Sequence, residues 1–306
     1  MFLLKQLRMP CQVSHLLVVF LLFSIQFSIS QSKTLKFEGQ AFKFFQNIEQ
    51  VHKGQTVAGL IEVKKFLIRF GYYPNPDHVN HLNNNFDDHL ESALKAYQNF
   101  YHLKVTGSLD SDTIKRMMIP RCGVPDLTNF TSLNQSRNSN IGLLYAYPNG
   151  KPKWHKFNLS YSFLPNVPNT PDVKAAFAEA FVSWKIVSQF NFHRAAAGEA
   201  ANLVIGFYTG AHGDGFPFDG PGKILAHSFY PPDGRSHYDA TENWSTHPAK
   251  DQMDYESVAL HEIGHLLGLA HSQDPNAVMY PTIAPGAIKR DLALDDVKGI
   301  QALYPL

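Results

Sequence analysis

The sequence predicts an α+β domain preceded by a small all-α domain. In the first part of the chain, residues 37–118, apolar residues recur at helical spacing. In the second part, from Tyr145 onward, short apolar segments typical of strands alternate with helical patterns and with loops rich in Gly, Pro and His. A length of 306 residues is enough for one or two domains, each with a core of its own.

The helical part ends with a turn and a polar stretch. A Gly corner at Gly107 and a capping Asp110 precede a helical pattern that resumes at Thr113. Residues 127–143 are rich in Asn and Ser and have no apolar period. This composition predicts an exposed linker that a protease can cut.

The second part is expected to contain elements in a fixed order. The sequence predicts a strand at 157–163, a helix at 171–189, a strand at 203–207, and helices at 255–267 and 295–304. The long stretch between the second strand and the next helix is expected to consist of loops.

The charge balance excludes some classes of partner. The net charge is +1 and no long run of one sign occurs. Nucleic-acid binders and proteins of acidic membrane surfaces carry a basic patch or stripe. We therefore expect neither partner.

The N-terminus predicts export. Lys5 and Arg8 precede an apolar run at 16–23, which continues in diluted form to Ile29, and a cleavage site follows Ser30. An uncleaved anchor is the alternative, but the uninterrupted run is far shorter than the roughly 20 residues that span a bilayer. We expect secretion to the extracellular space or the cell wall and apoplast, with no transmembrane segment in the product. Four glycosylation sequons agree with export, at Asn129, Asn134, Asn158 and Asn243.

A metal-binding motif carries the strongest chemical signal. His261 and His265 are four residues apart, so on a helix both imidazoles can reach one Zn²⁺. Gly268 permits the backbone to turn so that His271 supplies a third nitrogen. Three protein ligands leave a position for water, whose pKa zinc lowers toward about 7. Glu262 is then the candidate general base.

The alternative is that these histidines lie on a solvated helix face beside an incidental glutamate. Three histidines at these offsets next to a helix-ending glycine favour the metal site. The motif resembles that of the metzincin metallopeptidases, which have a Met-containing turn beneath the zinc. Met279, in Ala-Val-Met-Tyr-Pro at 277–281, matches that turn. The resemblance implies a twisted, mixed five-stranded sheet with three helices.

The only cysteine left after removal of Cys11 with the signal is Cys122. Its surroundings, Pro-Arg-Cys-Gly-Val-Pro-Asp at 120–126, resemble the cysteine switch of the matrix metalloproteinases, or matrixins. A thiolate is a strong zinc ligand and can fill the position that water needs. Arg121 can stabilise the thiolate or pair with a carboxylate. A buried, unreactive thiol is the alternative.

The resemblance implies a zymogen whose activating protease is a partner. Its segments are a signal peptide at 1–30, a propeptide at 31–143 and a zinc metallopeptidase catalytic domain at 144–306. Within the propeptide lie the helical domain at 37–118, the cysteine switch at 120–126 and the exposed linker at 127–143.

A second group of ligands predicts a structural zinc. His212, Asp214, His227 and His237 are expected in loops between strands, and four protein ligands make a closed site. The same four match the structural zinc ligands of matrixins, although the loop between His227 and His237 is shorter than is usual there. Polar surface histidines are the alternative.

Oxygen ligands predict at least one Ca²⁺. In matrixins the matching positions hold one calcium, whereas solvated loop carboxylates are the alternative. A further calcium is not expected, because Asn202 and Arg235 stand where the family often has Asp. The candidate calcium residues are Asp219, Gly220, Gly222, Ile224, Asp239 and Glu242.

The resemblance also implies how a protein or peptide substrate binds. An extended peptide would lie antiparallel to an edge strand near 224–226. Glu262 would take a proton from zinc-activated water and deliver it to the leaving amine. Tyr280, Pro281 and the loop at 282–289 would wall an apolar specificity pocket. The chain ends soon after its last predicted helix and is most similar to single-domain plant matrixins, and we expect a monomer.

Two other classes of function compete with the endopeptidase. One is a secreted zinc-binding module without turnover, and the other is a structural wall protein that uses metals for stability. Both would tolerate the loss of Glu262, which contributes nothing to ligation. Its presence favours the enzyme.

Overall fold

The structure is a computed structural model that describes residues 48, 50–73, 82–127, 142–168, 170–196 and 198–305. All of these lie in one compact unit, Glu38–Leu306. The expected signal peptide, most of the linker, and the sequons at Asn129 and Asn134 fall outside the described residues.

The first part of the described chain is helical, as predicted. Its helices are α1 (Leu60–Arg69), α2 (Asp88–Phe100) and α3 (Ser111–Met117). Asp87 accepts a hydrogen bond from the Leu90 N–H at 2.8 Å, and Asp110 accepts one from the Thr113 N–H at 2.9 Å. These carboxylates satisfy backbone donors that the first turn of a helix leaves free.

A mixed sheet forms the centre of the second part. Its strands are β1 (Arg121–Cys122), β2 (Asn158–Phe163), β3 (Asn191–Arg194), β4 (Leu203–Tyr208), β5 (Ile224–Ser228) and β6 (Arg235–Asp239). The strand order is β1-β5-β6-β4-β2-β3, and only the β5–β6 pair is antiparallel. Strands β2 to β6 form the expected five-stranded mixed sheet, and β1 adds a sixth strand.

Three helices pack on this sheet, and one of them carries the first two histidines of the metal motif. They are α4 (Pro171–Val187), α5 (Tyr255–Leu266) and α6 (Leu294–Leu303); a small second sheet contains β7 (Trp244–Ser245) and β8 (Met253–Asp254). Trp184 on α4 donates its indole N–H to the Leu260 carbonyl on α5 at 2.8 Å. The two helices are therefore joined by a buried polar contact as well as by apolar packing.

One prediction about this region is wrong. His227 lies on β5 and His237 lies on β6, rather than in loops between strands. The sequence of β6 has little apolar character, because one face of the strand carries His237 toward a polar cluster. Period-based reasoning cannot distinguish such a strand from a loop.

In the described part of the chain, none of the helices combines the length and apolar character that crossing a membrane requires.

Candidate metal centre

Helix α5 places His261 and His265 on one face. The Asp254 carboxylate caps the helix by accepting the Ser257 N–H at 3.0 Å. Gly268, with φ at +101°, follows the helix in a conformation that favours glycine and turns the chain toward His271. The three Nε2 atoms converge, with separations of 3.1 Å (His261 to His265), 3.2 Å (His265 to His271) and 3.3 Å (His261 to His271).

In each imidazole, a hydrogen bond from Nδ1 fixes the tautomer of the ring. His261 Nδ1 donates to the Val278 carbonyl and His265 Nδ1 to the Leu269 carbonyl, each at 2.7 Å. His271 Nδ1 donates to a carboxylate oxygen at 2.6 Å. Since every Nδ1 carries the proton, each Nε2 presents a lone pair to the same point. Burial lowers the pKa of His261 to about 3 and also lowers the pKa values of His265 and His271, which keeps the rings neutral.

This donor set fits zinc. Two nitrogens bound tetrahedrally at about 2.0–2.1 Å from zinc lie roughly 3.3 Å apart, which matches the observed separations. Cys122 Sγ lies 3.4 Å from His265 Nε2, and the four side chains form one group of candidate ligand atoms. A histidine that binds zinc through one ring nitrogen usually donates the N–H of the other to a carbonyl or carboxylate, as each Nδ1 does here.

Backbone hydrogen bonds hold the segment around Cys122 on two sides. Arg121 donates its N–H to the Lys223 carbonyl at 2.7 Å, and Gly123 donates to the Ala226 carbonyl at 2.8 Å. On the other side, the Cys122 N–H donates to the Pro281 carbonyl at 2.9 Å. Burial raises the pKa of the Cys122 thiol, so a thiolate here depends on a neighbouring cation.

Arg121 pairs with a carboxylate, which was one of its two predicted roles. Its guanidinium contacts both oxygens of Asp126, at 2.6 and 3.1 Å, and packs over the Phe70 ring. Asp126 also accepts the His271 N–H described above. Although burial opposes ionisation, Arg121 and His271 lower the pKa of Asp126 to about 2. Sequence reasoning missed this role, because Asp126 marked only the end of the motif.

Glu262 follows the first histidine and is completely buried. Neither carboxylate oxygen has a hydrogen-bond partner in this arrangement. Burial raises the pKa of Glu262 to about 7, against the opposing effects of the Ser228 hydroxyl and Cys122. A carboxylate with a pKa near neutrality, beside a metal centre, is suited to accept and return a proton.

Met279 lies beneath the centre. A Cβ on Gly264 would come within 2.2 Å of Met279 Sδ, so the glycine of the motif is required for this close approach. Asp296 on α6 accepts the N–H groups of Val278 and Met279, at 2.8 and 3.0 Å. Because the Val278 carbonyl holds His261, Asp296 supports that ligand indirectly. No motif in the sequence indicates this role of Asp296.

The second cluster is centred on Asp214. Its Oδ2 atom lies 2.8 Å from His212 Nε2, 2.7 Å from His227 Nε2 and 2.8 Å from His237 Nδ1. Burial lowers the pKa of His227 to about 4 and lowers that of His237 as well. Hydrogen bonds from the Phe216 N–H and the histidines keep Asp214 ionised in spite of burial. Three imidazoles and a carboxylate fit a closed zinc site.

The predicted calcium carboxylates lie near one another. Asp239 Oδ2 and Glu242 Oε2 are buried without a hydrogen-bond partner, and Glu242 Oε1 accepts the Gly222 N–H at 2.7 Å. Burial raises the pKa of Glu242 to about 8, and Asp239 and Asp219 add to the rise. These carboxylates do not form a group within 4.8 Å of one another, as the two zinc-type clusters do.

The remaining predicted sites lie at the surface and beside α5. Asn158 and Asn243 are both exposed. A small pocket lies between α5 and the segment that follows the Met turn. The predicted walls Tyr280, Pro281, Thr282 and Lys289 line it, together with His261 and Glu262.

Tyr230 is a neighbour of the centre that sequence reasoning missed. Its ring lies edge-on to His265 with centroids 5.7 Å apart, and its hydroxyl is buried without a partner. It stands in the loop between β5 and β6, where the sequence shows no motif.

Comparison with known proteins agrees with this geometry. A matrixin family model matches residues 153–305, and a model described as a putative peptidoglycan binding domain matches residues 56–117. The chain is 44% identical over 281 residues to Metalloendoproteinase 2-MMP of Arabidopsis thaliana, covering 85% of this chain and 74% of that protein. It is 42% identical over 288 residues to Metalloendoproteinase 1 of Glycine max, covering 90% and 91%. The chain belongs to the matrixin family.

A human relative extends the comparison beyond plants. Neutrophil collagenase of Homo sapiens is 38% identical to this matrixin over 250 residues, which is 80% of this chain and 50% of that protein. The predictions of a plant-type matrixin and of an α+β fold behind a helical region are confirmed. This matrixin is a zinc metalloendopeptidase, and its substrates are proteins. The two non-enzymatic alternatives are therefore excluded.

Proposed function

We propose that this matrixin is made as a secreted, latent endopeptidase precursor in which Cys122 blocks the catalytic zinc. The observation that carries the proposal is the position of Cys122 Sγ, 3.4 Å from His265 Nε2 in a fully buried group with the three histidines. A thiolate at this point supplies the fourth ligand of a closed site and leaves no place for water. Proteolysis that removes the segment would open that place.

The ion pair next to the cysteine supports latency. Arg121 and Asp126 lie on either side of Cys122 and are buried together. Asp126 also binds His271, so this segment is attached to the catalytic ligands at two points. Because Arg121 and Asp126 belong to the same segment, their ion pair fixes the conformation in which Cys122 and Asp126 meet the histidines. We infer that an activating protease cuts within the linker at 127–143.

Removal of the segment would free an edge for substrate. Without β1, strand β5 becomes the edge of the sheet, and the Lys223 and Ala226 carbonyls no longer accept the Arg121 and Gly123 N–H groups. An extended peptide can replace β1 by strand addition, in the antiparallel direction that the family resemblance implies. Its side chain after the cut would enter the cavity beside Tyr280 and Pro281.

In peptide hydrolysis, Glu262 would then transfer the proton. Zinc held by His261, His265 and His271 supplies Lewis-acid polarisation of the carbonyl and of water. Glu262 accepts a proton from the attacking water and donates it to the leaving amine, which yields a carboxyl and an amino product. The buried position of Glu262 next to His261 supports this role.

Two further metal sites would stabilise the fold. We propose that His212, Asp214, His227 and His237 hold a structural zinc. Asp219, Asp239 and Glu242, with the backbone at 220–224, would hold calcium. The ion would satisfy the two buried oxygens of Asp239 and Glu242 that have no hydrogen-bond partner.

The N-terminal signal would direct the chain to the extracellular space or cell wall. Glycans would attach at exposed Asn158 and Asn243 and at the linker sequons, and the product would act as a monomer.

A quenched-peptide assay tests the catalytic assignment. The trimmed protein should cleave an internal bond, lose activity with a zinc chelator and regain it with added zinc. Glu262→Ala should keep its zinc, because Glu262 is not a ligand, and should lose at least about a hundredfold in kcat. Equal rates for wild type and Glu262→Ala would contradict the proposal.

A further inference from the structure

The pocket between α5 and the segment after the Met turn has one end at the metal centre. His261 and Glu262 line that end, and Ser257 lines the same side of the pocket further along the helix. Ser257 precedes His261 by about one helical turn, so it shares the face of His261 but lies on the side away from His265. The opposite wall contains Tyr280. The pocket therefore extends along α5 from the metal centre to the level of Ser257.

Lys289 spans the far end of this pocket. Its backbone N–H donates to the Ser257 hydroxyl at 2.7 Å, on the side of α5. Its ammonium donates to the carbonyls of Pro275 and Ala277 at 2.9 and 2.6 Å and lies 5.4 Å from the centre of the Tyr280 ring. Lys289 also lines the pocket. The residue thus reaches from one wall of the pocket to the other.

The segment that carries Lys289 is fixed to the beginning of α5. Arg290 Nη2 and Nε donate to the two carboxylate oxygens of Asp254, at 2.6 and 2.9 Å. The Ser257 hydroxyl donates to the same carboxylate at 2.6 Å while it accepts the Lys289 N–H. Since Asp254 is completely buried and caps the helix, these contacts join the segment to a rigid element. The fold therefore determines where the Lys289 side chain lies.

The ammonium places a hydrogen-bond donor in largely apolar surroundings. Val258, Val278 and Ile283 also line the pocket. An ammonium has three N–H donors, and the two backbone carbonyls at the Met turn accept two of them. The third donor can meet an acceptor on a bound molecule. A side chain that extended beyond Lys289 would have to displace it from both carbonyls.

We propose that Lys289 is a specificity-determining residue, which closes this pocket at a fixed depth and donates a hydrogen bond to the tip of the substrate side chain held there. This inference rests on the proposed function, in which the side chain after the cut enters the pocket. The distance of about one helical turn, 5.4 Å, between His261 and Ser257 suits a side chain of the length of glutamine or methionine. The best fit is apolar along its length with an acceptor at its tip, as in glutamine.

A structural role for Lys289 is the competing explanation, because its ammonium also connects two carbonyls at the Met turn. Loss of a structural contact would slow the cleavage of every peptide by a similar factor. Loss of a specificity contact would change the ratio of kcat/KM between peptides that differ only in the side chain after the cut. That ratio therefore separates the two explanations.

The test compares peptides with methionine, glutamine or the longer homophenylalanine after the cut, in enzyme activated by proteolysis of the precursor. Lys289→Met keeps the length of the side chain and removes the donor. It should lower kcat/KM for the glutamine peptide relative to the methionine peptide about tenfold, because the buried amide oxygen loses its partner. Lys289→Ala should raise the homophenylalanine peptide relative to the methionine peptide about tenfold, because the pocket becomes deeper. Lys298→Ala, exposed on α6, is the control and should change neither ratio.

Binding to an inactive form gives a readout that does not depend on turnover. In the activated Glu262→Ala background, the dissociation constants of the same peptides, measured by calorimetry, should show the same two changes in ratio. Either ratio remaining within twofold of its parent value would overturn the inference. If the wild-type enzyme shows no Glu262-dependent cleavage, the proposed function fails, whereas the binding ratios still decide the role of Lys289.

Discussion

The Asp126 carboxylate lies 2.6 Å from Nδ1 of His271. The two residues are 145 positions apart, and the contact links the segment around Cys122 to a histidine of the candidate metal centre. In the proposed latent precursor, the segment therefore supports a zinc ligand through Asp126 and fills the open position through Cys122. Release of the segment would take this partner away from His271.

Asp126→Asn in the precursor should weaken latency. The change leaves the Arg121 guanidinium buried without a charged partner, which should destabilise the docked segment by about 3 kcal/mol. Activation by a fixed amount of trypsin should become faster, and thermal unfolding of the precursor should begin at a lower temperature. Asp112→Asn, an exposed change on α3, serves as the control. Unchanged activation of Asp126→Asn would show that the pair does not hold the segment.

The second cluster should determine metal content. His237→Ala removes one of four candidate ligands, so the purified enzyme should contain one zinc per chain in place of two. The melting temperature should fall, while Glu262-dependent cleavage should persist at low temperature. His193→Ala on exposed β3 is the matched control, and metal analysis by mass spectrometry is the measurement. Two zinc ions per chain in the variant would contradict the assignment.

Calcium should stabilise the enzyme more at high pH than at low pH. Burial raises the pKa of Glu242 to about 8, above the usual glutamate value of 4.5. The folded state thus retains a proton that the unfolded state loses, and without calcium its stability falls as pH rises through this window. Calcium neutralises the carboxylates, so the calcium-induced rise in melting temperature should be larger at pH 8 than at pH 5. Glu242→Gln should remove most of this pH dependence, and an equal rise at both pH values would exclude the site.

The sequence predicted the parts of the site that depend on local geometry. His261 and His265 meet because a helix brings residues four apart to one face, and Gly268 marks the helix end. Cys122 stood out because it is the single cysteine outside the predicted signal segment.

Contacts between residues that are far apart in the sequence could not be predicted, because they produce no local spacing pattern. Asp126 and His271 come together only through the docking of β1 and the residues that follow it. Strand β6 was missed because its polar face is used for the second cluster, so the strand has no apolar alternation. The apolar periodicity of a sequence shows which faces of a helix or strand are apolar. A strand that uses one face for polar functional residues does not have that periodicity.

The most direct test of latency is cleavage of a quenched peptide by uncut Cys122→Ser precursor. Mass spectrometry should confirm that the chain is intact, and thermal unfolding should confirm that it is folded. A hydroxyl is a far weaker zinc ligand than a thiolate, so the precursor should cleave the peptide without proteolysis and should lose this activity on addition of Glu262→Ala. A folded, zinc-loaded Cys122→Ser precursor that remains as inert as the parent would contradict the account.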